Sequence, residues 1–181
     1  MTPSKKLPDI DYLNECFCLD GGDLIWKVRP AHHFKTSGVM TWWNRNFPGK
    51  KAGGMGSKGY LQIGLFRKKF LNHRVVFFMH NGEQPEYVDH IDEDKLNNKP
   101  TNLRAASLHQ NMQNKGTPKS NSSGIKGVVW NKLSKKWQAQ CVVNKITKYG
   151  GIFSDIADAE IAVKALRSTL HGEFANNGVS Q

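Results

Sequence analysis

Asp89 and His90 stand side by side, and two carboxamides, Asn102 and Asn111, complete a stretch of 23 residues. Hydrolysis of a phosphodiester asks for these residue types. A hard cation wants oxygen ligands, which Asp and Asn supply, and an attacking water wants a base, for which imidazole has the best-placed unperturbed pKa near neutrality. Taken singly, an Asp is most often a cap and an Asn a turn former. Taken together, Asp89, His90 and Asn111 read as a catalytic set.

The surrounding pattern gives these residues an address. Val88 to Ile91 and Leu103 to Ala105 read as two strands of a hairpin, and Ser107 as the cap of a helix running through Asn114. Strand, turn, strand, helix makes a ββα unit. Asp89-His90 then ends one strand and Asn111 lies one turn into the helix, so the two ends can face each other across a small cleft. Upstream, Asp23 to Val28 and Gly59 to Phe66 read as strands, Arg67-Lys68-Lys69 as a hairpin turn, and His73 to His80 as a helix capped by Asn72 and stopped by Asn81-Gly82. Residues 30–49 show no clear period, and the Trp42-Trp43 pair is expected to pack a long loop. Gln113 to Gly124 is rich in Gly, Pro and Ser and reads as a linker. Beyond it come three strand-like pieces, Gly127 to Trp130, Trp137 to Val142 and Tyr149 to Phe153. A helix follows, with Ile156, Ala159, Val163, Leu166 and Leu170 on one apolar stripe.

Bulk properties narrow the function classes. A chain of 181 residues with a formal charge of +11 points to a polyanionic partner. The distribution is sharper than the total. Gly116 to Phe153 holds seven Lys and no Asp or Glu, while Glu86 to Asp94 holds five acids and no Lys or Arg. An acidic run inside a basic protein, beside His90, favours a cation site over a merely solvated face. The longest apolar stretch, Val75 to Met79, is too short for a bilayer, so no membrane partner is expected. Three Cys with no Cys-x-x-Cys pair make a disulfide framework and a structural zinc knuckle unexpected. With no apolar signal core near Met1, a cytoplasmic location is expected.

The ordered set Asp89-His90, Asn97-Asn98, Thr101-Asn102-Leu103-Arg104, Asn111 resembles the HNH nuclease motif, in the variant where the last His is Asn. Leu71-Asn72-His73-Arg74-Val75-Val76 and Asn81-Gly82-Glu83-Gln84-Pro85 are similar to the segments that precede it in phage and intron HNH nucleases. The resemblance implies that Asp89 and Asn111 bind one divalent ion, Mg2+ or Mn2+, and that His90 is the general base. It also implies that Asn102 pins the hairpin so that His90 points inward. His73 and Arg74, at a helix start, become candidates for a phosphate contact. His32, His33, His80, His109 and His171 are expected to be surface or packing residues.

A second resemblance covers 122–177. Ser123-Gly124-Ile125-Lys126-Gly127-Val128-Val129-Trp130, Lys136-Trp137-Gln138-Ala139 and Ala157-Asp158-Ala159-Glu160-Ile161-Ala162 look like the Apetala-type (ethylene-response-factor) DNA-binding domain. That resemblance implies a three-stranded sheet in the major groove, with Trp130, Lys132, Lys136, Trp137, Gln138, Gln140 and Lys148 against DNA. Lysines would anchor phosphates and glutamines could read base edges.

The expectation is therefore an α+β protein in two modules. An N-terminal β region and HNH nuclease would occupy 1–114, with a ββα-metal core at about 86–114. A linker would occupy 115–123, and an Apetala-type domain 124–177 with three antiparallel strands and one helix. Its expected role is a homing-type endonuclease, phage- or intron-encoded, nicking or cutting double-stranded DNA in a bacterial cytoplasm as a monomer or homodimer. The competing reading is a non-catalytic DNA-binding regulator on a decayed nuclease fold.

Overall fold

A computed structural model of the chain describes residues 5–114, 116–117 and 120–178. The architecture is α+β: five α-helices and ten short strands, the strands forming four small antiparallel sheets among the described residues. The chain divides into two compact units, one ending at Ala106 and one beginning at Ser107. No helix among the described residues is long and apolar enough to cross a membrane.

The first unit is built around one helix. Val75-Val76-Phe77-Phe78 is apolar on every side, and a helix of that kind is stable only when surrounded. It forms the middle of α3 (Asn72–Asn81), where seven consecutive residues from Asn72 to Phe78 are buried. Gly82 ends the helix in the left-handed conformation, as the Asn-Gly pair suggests. Asn72 does not cap it. Leu71 holds the cap position, and the buried Asn72 carboxamide instead donates to the Ala52 carbonyl at 2.8 Å.

Around α3 pack α1 (Ile10–Cys16), the hairpin β1 (Phe17–Asp20) and β2 (Asp23–Trp26), and the sheet of β3 (Gly54–Met55), β4 (Leu61–Leu65) and β5 (Lys68–Leu71). Leu13, Phe17, Leu24 and Ile63 close the core against Val75 and Val76. The β4–β5 turn falls at Phe66-Arg67, both at positive φ, so Lys68 and Lys69 are strand residues and not the turn expected of them. Residues 30–49 also differ from expectation. Ser37–Asn46 forms α2, with Thr36 accepting from the Val39 amide and Trp43 packed edge-on against Trp26. That helix draws its order from aromatic contacts remote in sequence, which periodicity does not reveal.

Gly22 has a further task. It lies in the β1–β2 turn at φ +113°, and a Cβ there would come within 2.5 Å of the Lys99 amide nitrogen and 2.6 Å of the Asn98 carbonyl carbon. Only a residue without a side chain lets this turn press on the 91–102 loop. Gly22→Ala is expected to cost a few kcal/mol, on the order of ~2–4, through backbone overlap and left-handed strain. A drop in the melting temperature of the full chain checks it.

The second unit contains α4 (Leu108–Gln113), the sheet of β8 (Val128–Asn131), β9 (Lys136–Val143) and β10 (Ile146–Phe153), and α5 (Ile156–His171). Strand order is β10-β9-β8, all antiparallel. Ser107 caps α4 in a reciprocal arrangement with Gln110, and Asp155 caps α5. Ala159 and Val163 of α5 bury themselves against Val128 and Ala139 of the sheet. Arg167, on the same stripe, is 2% exposed and donates to the Asn177 side chain and the Lys126 carbonyl. Of the expected linker 115–123, residues 115, 118 and 119 lie outside the described residues. Its end is tied down, since the Ser123 hydroxyl donates to the Val128 carbonyl at 2.7 Å.

Candidate active site

The hairpin of β6 (Tyr87–His90) and β7 (Leu103–Ala106) pairs Asp89 with Arg104 and His90 with Leu103. Tyr87 and Val88 favour extended backbone, and Val88 anchors the strand in the core beside Leu103. Asp89 and His90 at its end are 6% and 5% exposed. Buried polar side chains of this kind need partners, and each has one. Arg104 places its Nε at 3.1 Å and Nη2 at 3.0 Å from Asp89 Oδ2. The His90 Nε2–H donates to Asn98 Oδ1 at 3.0 Å, and Asn98 is itself 4% exposed. A carboxamide oxygen only accepts, so the ring is the donor in that bond.

The loop between the strands is knotted by Asp92 and Asn102. Asn102 Nδ2 donates to Asp92 Oδ1 (2.8 Å) and to the Asn97 carbonyl (2.8 Å), while Asn102 Oδ1 accepts from the Asp92 amide (3.1 Å). Asn97 Nδ2 closes on Asp92 Oδ2 at 2.6 Å. Burial pushes the Asp92 carboxyl up, but the hydrogen bonds from Asn97, Asn102 and the Asp94 amide outweigh it and hold the group below its ordinary value. Asn102 thus bonds within the loop, to Asp92 and to the Asn97 carbonyl. Asp92, read as part of an acidic cation-binding run, is instead a fastener of the loop.

His73 and Arg74 do not present themselves to a phosphate. They are 4% and 8% exposed. Arg74 sends Nη1 to the Lys5 carbonyl and Nη2 to the Pro85 carbonyl, both at 3.2 Å, which ties the start of the unit to the entry of β6. The His73 ring stands edge-on to His90 at 4.8 Å, and Tyr60 lies 5.3 Å from His73. Burial, with His90 and Arg74 adding to it, pushes His73 down to about 3, so the ring is neutral and forms an uncharged wall behind His90. The apolar environment of α3 overrides what a His-Arg pair at a helix start suggests.

Asn111 lies on α4, in the second compact unit. Sequence reasoning gave no role to Asn98 or Arg104, although both were in view as motif residues. The signal for Asn98 was a second carboxamide beside Asn97 in a loop closed by Asn102.

In the second unit, strand register sorts the DNA-facing candidates. Gln138 and Gln140 share a face with Lys136 and, through pairing, with Val129, Tyr149 and Ile152. Trp130 and Trp137 are cross-strand partners at 4.9 Å on the other face, the one that carries Ala139 and meets α5. Lys148 pairs with the buried Cys141 and belongs to that same face. Lys132 sits in the β8–β9 turn. The open face is thus mixed polar and apolar, not a bed of lysines.

A family model described as HNH endonuclease matches residues 70–113, which bracket the buried Asp89, His90 and Asn98. "Protein 3.8" of Escherichia phage T7 is 36% identical over 120 residues, covering 65% of this chain and 96% of that protein. Residues 70–113 are thus similar to an HNH endonuclease domain. A second relative, "Uncharacterized HNH endonuclease L560" of Acanthamoeba polyphaga mimivirus, is 35% identical over 125 residues, 67% of this chain and 63% of that protein. The chain therefore spans less than two thirds of the mimivirus relative's length. No solved structure matches it.

For the HNH endonuclease family whose model matches residues 70–113, DNA is the substrate class and a divalent metal the general cofactor. The residues fit such an ion. Arg104 engages Oδ2 of Asp89, so Oδ1 is the oxygen that could meet a hard cation, and the carboxylate is held rigidly enough to serve as a ligand.

Proposed function

We propose that this protein is a metal-dependent endonuclease that hydrolyses phosphodiester bonds in duplex DNA, with His90 as general base and Asp89 as a ligand of one Mg2+ or Mn2+. The observation that carries the reading is the buried His90–Asn98 hydrogen bond beside Asp89. That bond holds the ring in a fixed orientation for taking a proton from water. Arg104 fixes Asp89 from the partner strand. Asn102 and Asp92 hold the loop that carries Asn98. When bound, the cation offsets charge building on the phosphate and on the departing oxygen.

Supercoiled plasmid incubated with the protein and Mg2+ is expected to give relaxed or linear product, and none when a chelator is present. No product under any metal would leave a DNA-binding regulator. Product that persists in chelator would remove the metal ligands from the assignment.

The second unit is proposed to act as an Apetala-type DNA-binding domain, its open face carrying Lys136, Gln138 and Gln140 to the groove. That open sheet, with Gln138 Nε2 donating to Gln140 Oε1 at 3.1 Å, supports the reading. Two modules on one duplex would let weak contacts add through effective concentration, which suits a homing-type enzyme.

Asn98 then acts as a positioning residue. Asn98→Ala is expected to lower kcat by about 10- to 100-fold with KM nearly unchanged. Asn98→Asp keeps an acceptor for Nε2–H but adds charge that favours imidazolium, so its acid limb moves to higher pH. Identical pH–rate profiles for the two variants would show that Asn98 does not govern His90.

A further inference from the structure

A second group of metal-ligating side chains lies in the first unit, away from the hairpin sequence. Glu15 lies in the last turn of α1, and His32 and His33 belong to the 3-10 turn Ala31–His33. Glu15 Oε2 lies 2.9 Å from His32 Nε2 and 2.7 Å from His33 Nε2, and one ligand atom from each of the three residues falls within 4.8 Å of the others. The two rings stand edge to face at 4.6 Å, and His33 also packs on Tyr12 at 4.3 Å. The His33 side chain is 1% exposed, whereas those of Glu15 and His32 are 42% and 64% exposed. One wall of the group is fixed and the other two members face water.

We propose that Glu15, His32 and His33 form a binding site for a zinc-class transition-metal ion, with one coordination position open to solvent. Two imidazole nitrogens and one carboxylate suit Zn2+ or Co2+ and not Mg2+, which prefers all-oxygen surroundings. The site is separate from the Asp89 site in ligands and in metal preference. It also differs from a zinc knuckle, since it uses no thiolate ligand.

The immediate surroundings of His33 show what binding must change. Its Nδ1 accepts from Arg29 Nε at 3.1 Å, which leaves the proton on Nε2, where it faces Glu15. An ion on Nε2 moves that proton to Nδ1. Cys16 Sγ, 3.8 Å from Nδ1, is placed to accept a hydrogen bond from the Nδ1–H so formed. Arg29 Nε–H must then turn aside, while its Nη2 bond to the Tyr12 hydroxyl at 2.8 Å and the Trp43 ring 4.8 Å from its guanidinium keep the cation seated. Burial lowers the His33 pKa and favours the neutral ring that ligation requires. The bound ion would tie the end of α1 to the turn ahead of α2.

The test uses the full chain carrying Asp89→Asn, so that the hairpin loses a proposed ligand. Zn2+ is titrated in competition with a chromophoric chelator, and Co2+ absorption reports the donor set. One equivalent of Zn2+ is expected, retained in millimolar Mg2+, with a rise in melting temperature. His32→Ala, a change at an exposed side chain, and Glu15→Gln are each expected to weaken Zn2+ binding by at least about 10-fold and to abolish that rise. Failure of the parent protein to bind an equivalent would overturn the proposal, as would full Zn2+ binding in both variants. Because the readout is not DNA cleavage, it stands or falls independently of the nuclease reading.

Discussion

His90→Ala should lose plasmid cleavage by on the order of 10³-fold, the usual contribution of a positioned general base. DNA binding should survive, since His90 is 5% exposed and lies behind the loop surface. Removing the ring leaves the buried Asn98 oxygen without that donor, which costs about 1–3 kcal/mol. A melting curve must accompany the assay, to separate lost chemistry from lost fold. Asp89→Asn is the better partner variant than Asp89→Ala. Arg104 spends two donors on Asp89 Oδ2, and deletion would take the acceptor from both on a guanidinium that is only 15% exposed. Cleavage by His90→Ala within tenfold of the parent would take the base away from His90 and leave the HNH assignment without its proton acceptor.

The second large effect is on stability against acid. His73 is pushed down to about 3 in the fold, against an ordinary value near 6.5, chiefly by burial. Above about pH 6.5 both folded and unfolded chains hold this ring neutral, so it contributes no pH dependence. As pH falls below that, the unfolded chain takes up a proton that the folded chain refuses, and stability declines until the folded value near 3 is reached. By pH 5 the loss from this ring is about 2 kcal/mol, from roughly 1.5 pH units at 1.36 kcal/mol each. Denaturant midpoints at pH 7 and pH 5 measure it. His73→Phe should flatten that part of the curve. His33 and His171, both lowered by burial, act in the same direction and remain in the variant. An unchanged slope in His73→Phe would show that His73 is protonated without penalty in the fold.

Much of this was readable in the chain, and the failures share a cause. The second unit announced itself because its strands end in Asn and Lys turns and its helix carries both a cap and a stripe. The motif hairpin was legible for the same reason: local turn chemistry encodes it. What escaped was burial imposed by distant partners. His73 and Arg74 look exposed until the apolar turns of α3 are wrapped by α1 and the β4–β5 sheet. Arg167 sits on a stripe where only apolar residues were expected, because the Lys126 carbonyl and Asn177 meet its charge with hydrogen bonds. α2 hides in a segment whose order depends on Trp26 and Phe34 finding Trp43. Asn98 belongs to the same class, since its importance comes from the ring it touches and not from its neighbours in sequence.

The family match begins at residue 70, yet the backbone that stops the Asn98 loop from retreating is the Gly22 turn, almost fifty residues upstream. A graft of 70–113 alone onto a foreign scaffold would carry every motif letter but not the turn on which that loop is pressed. Proteins that keep the signature should therefore keep the leading hairpin with it, and chimaeras cut just ahead of α3 should bear the motif but melt below those that retain the β1–β2 turn.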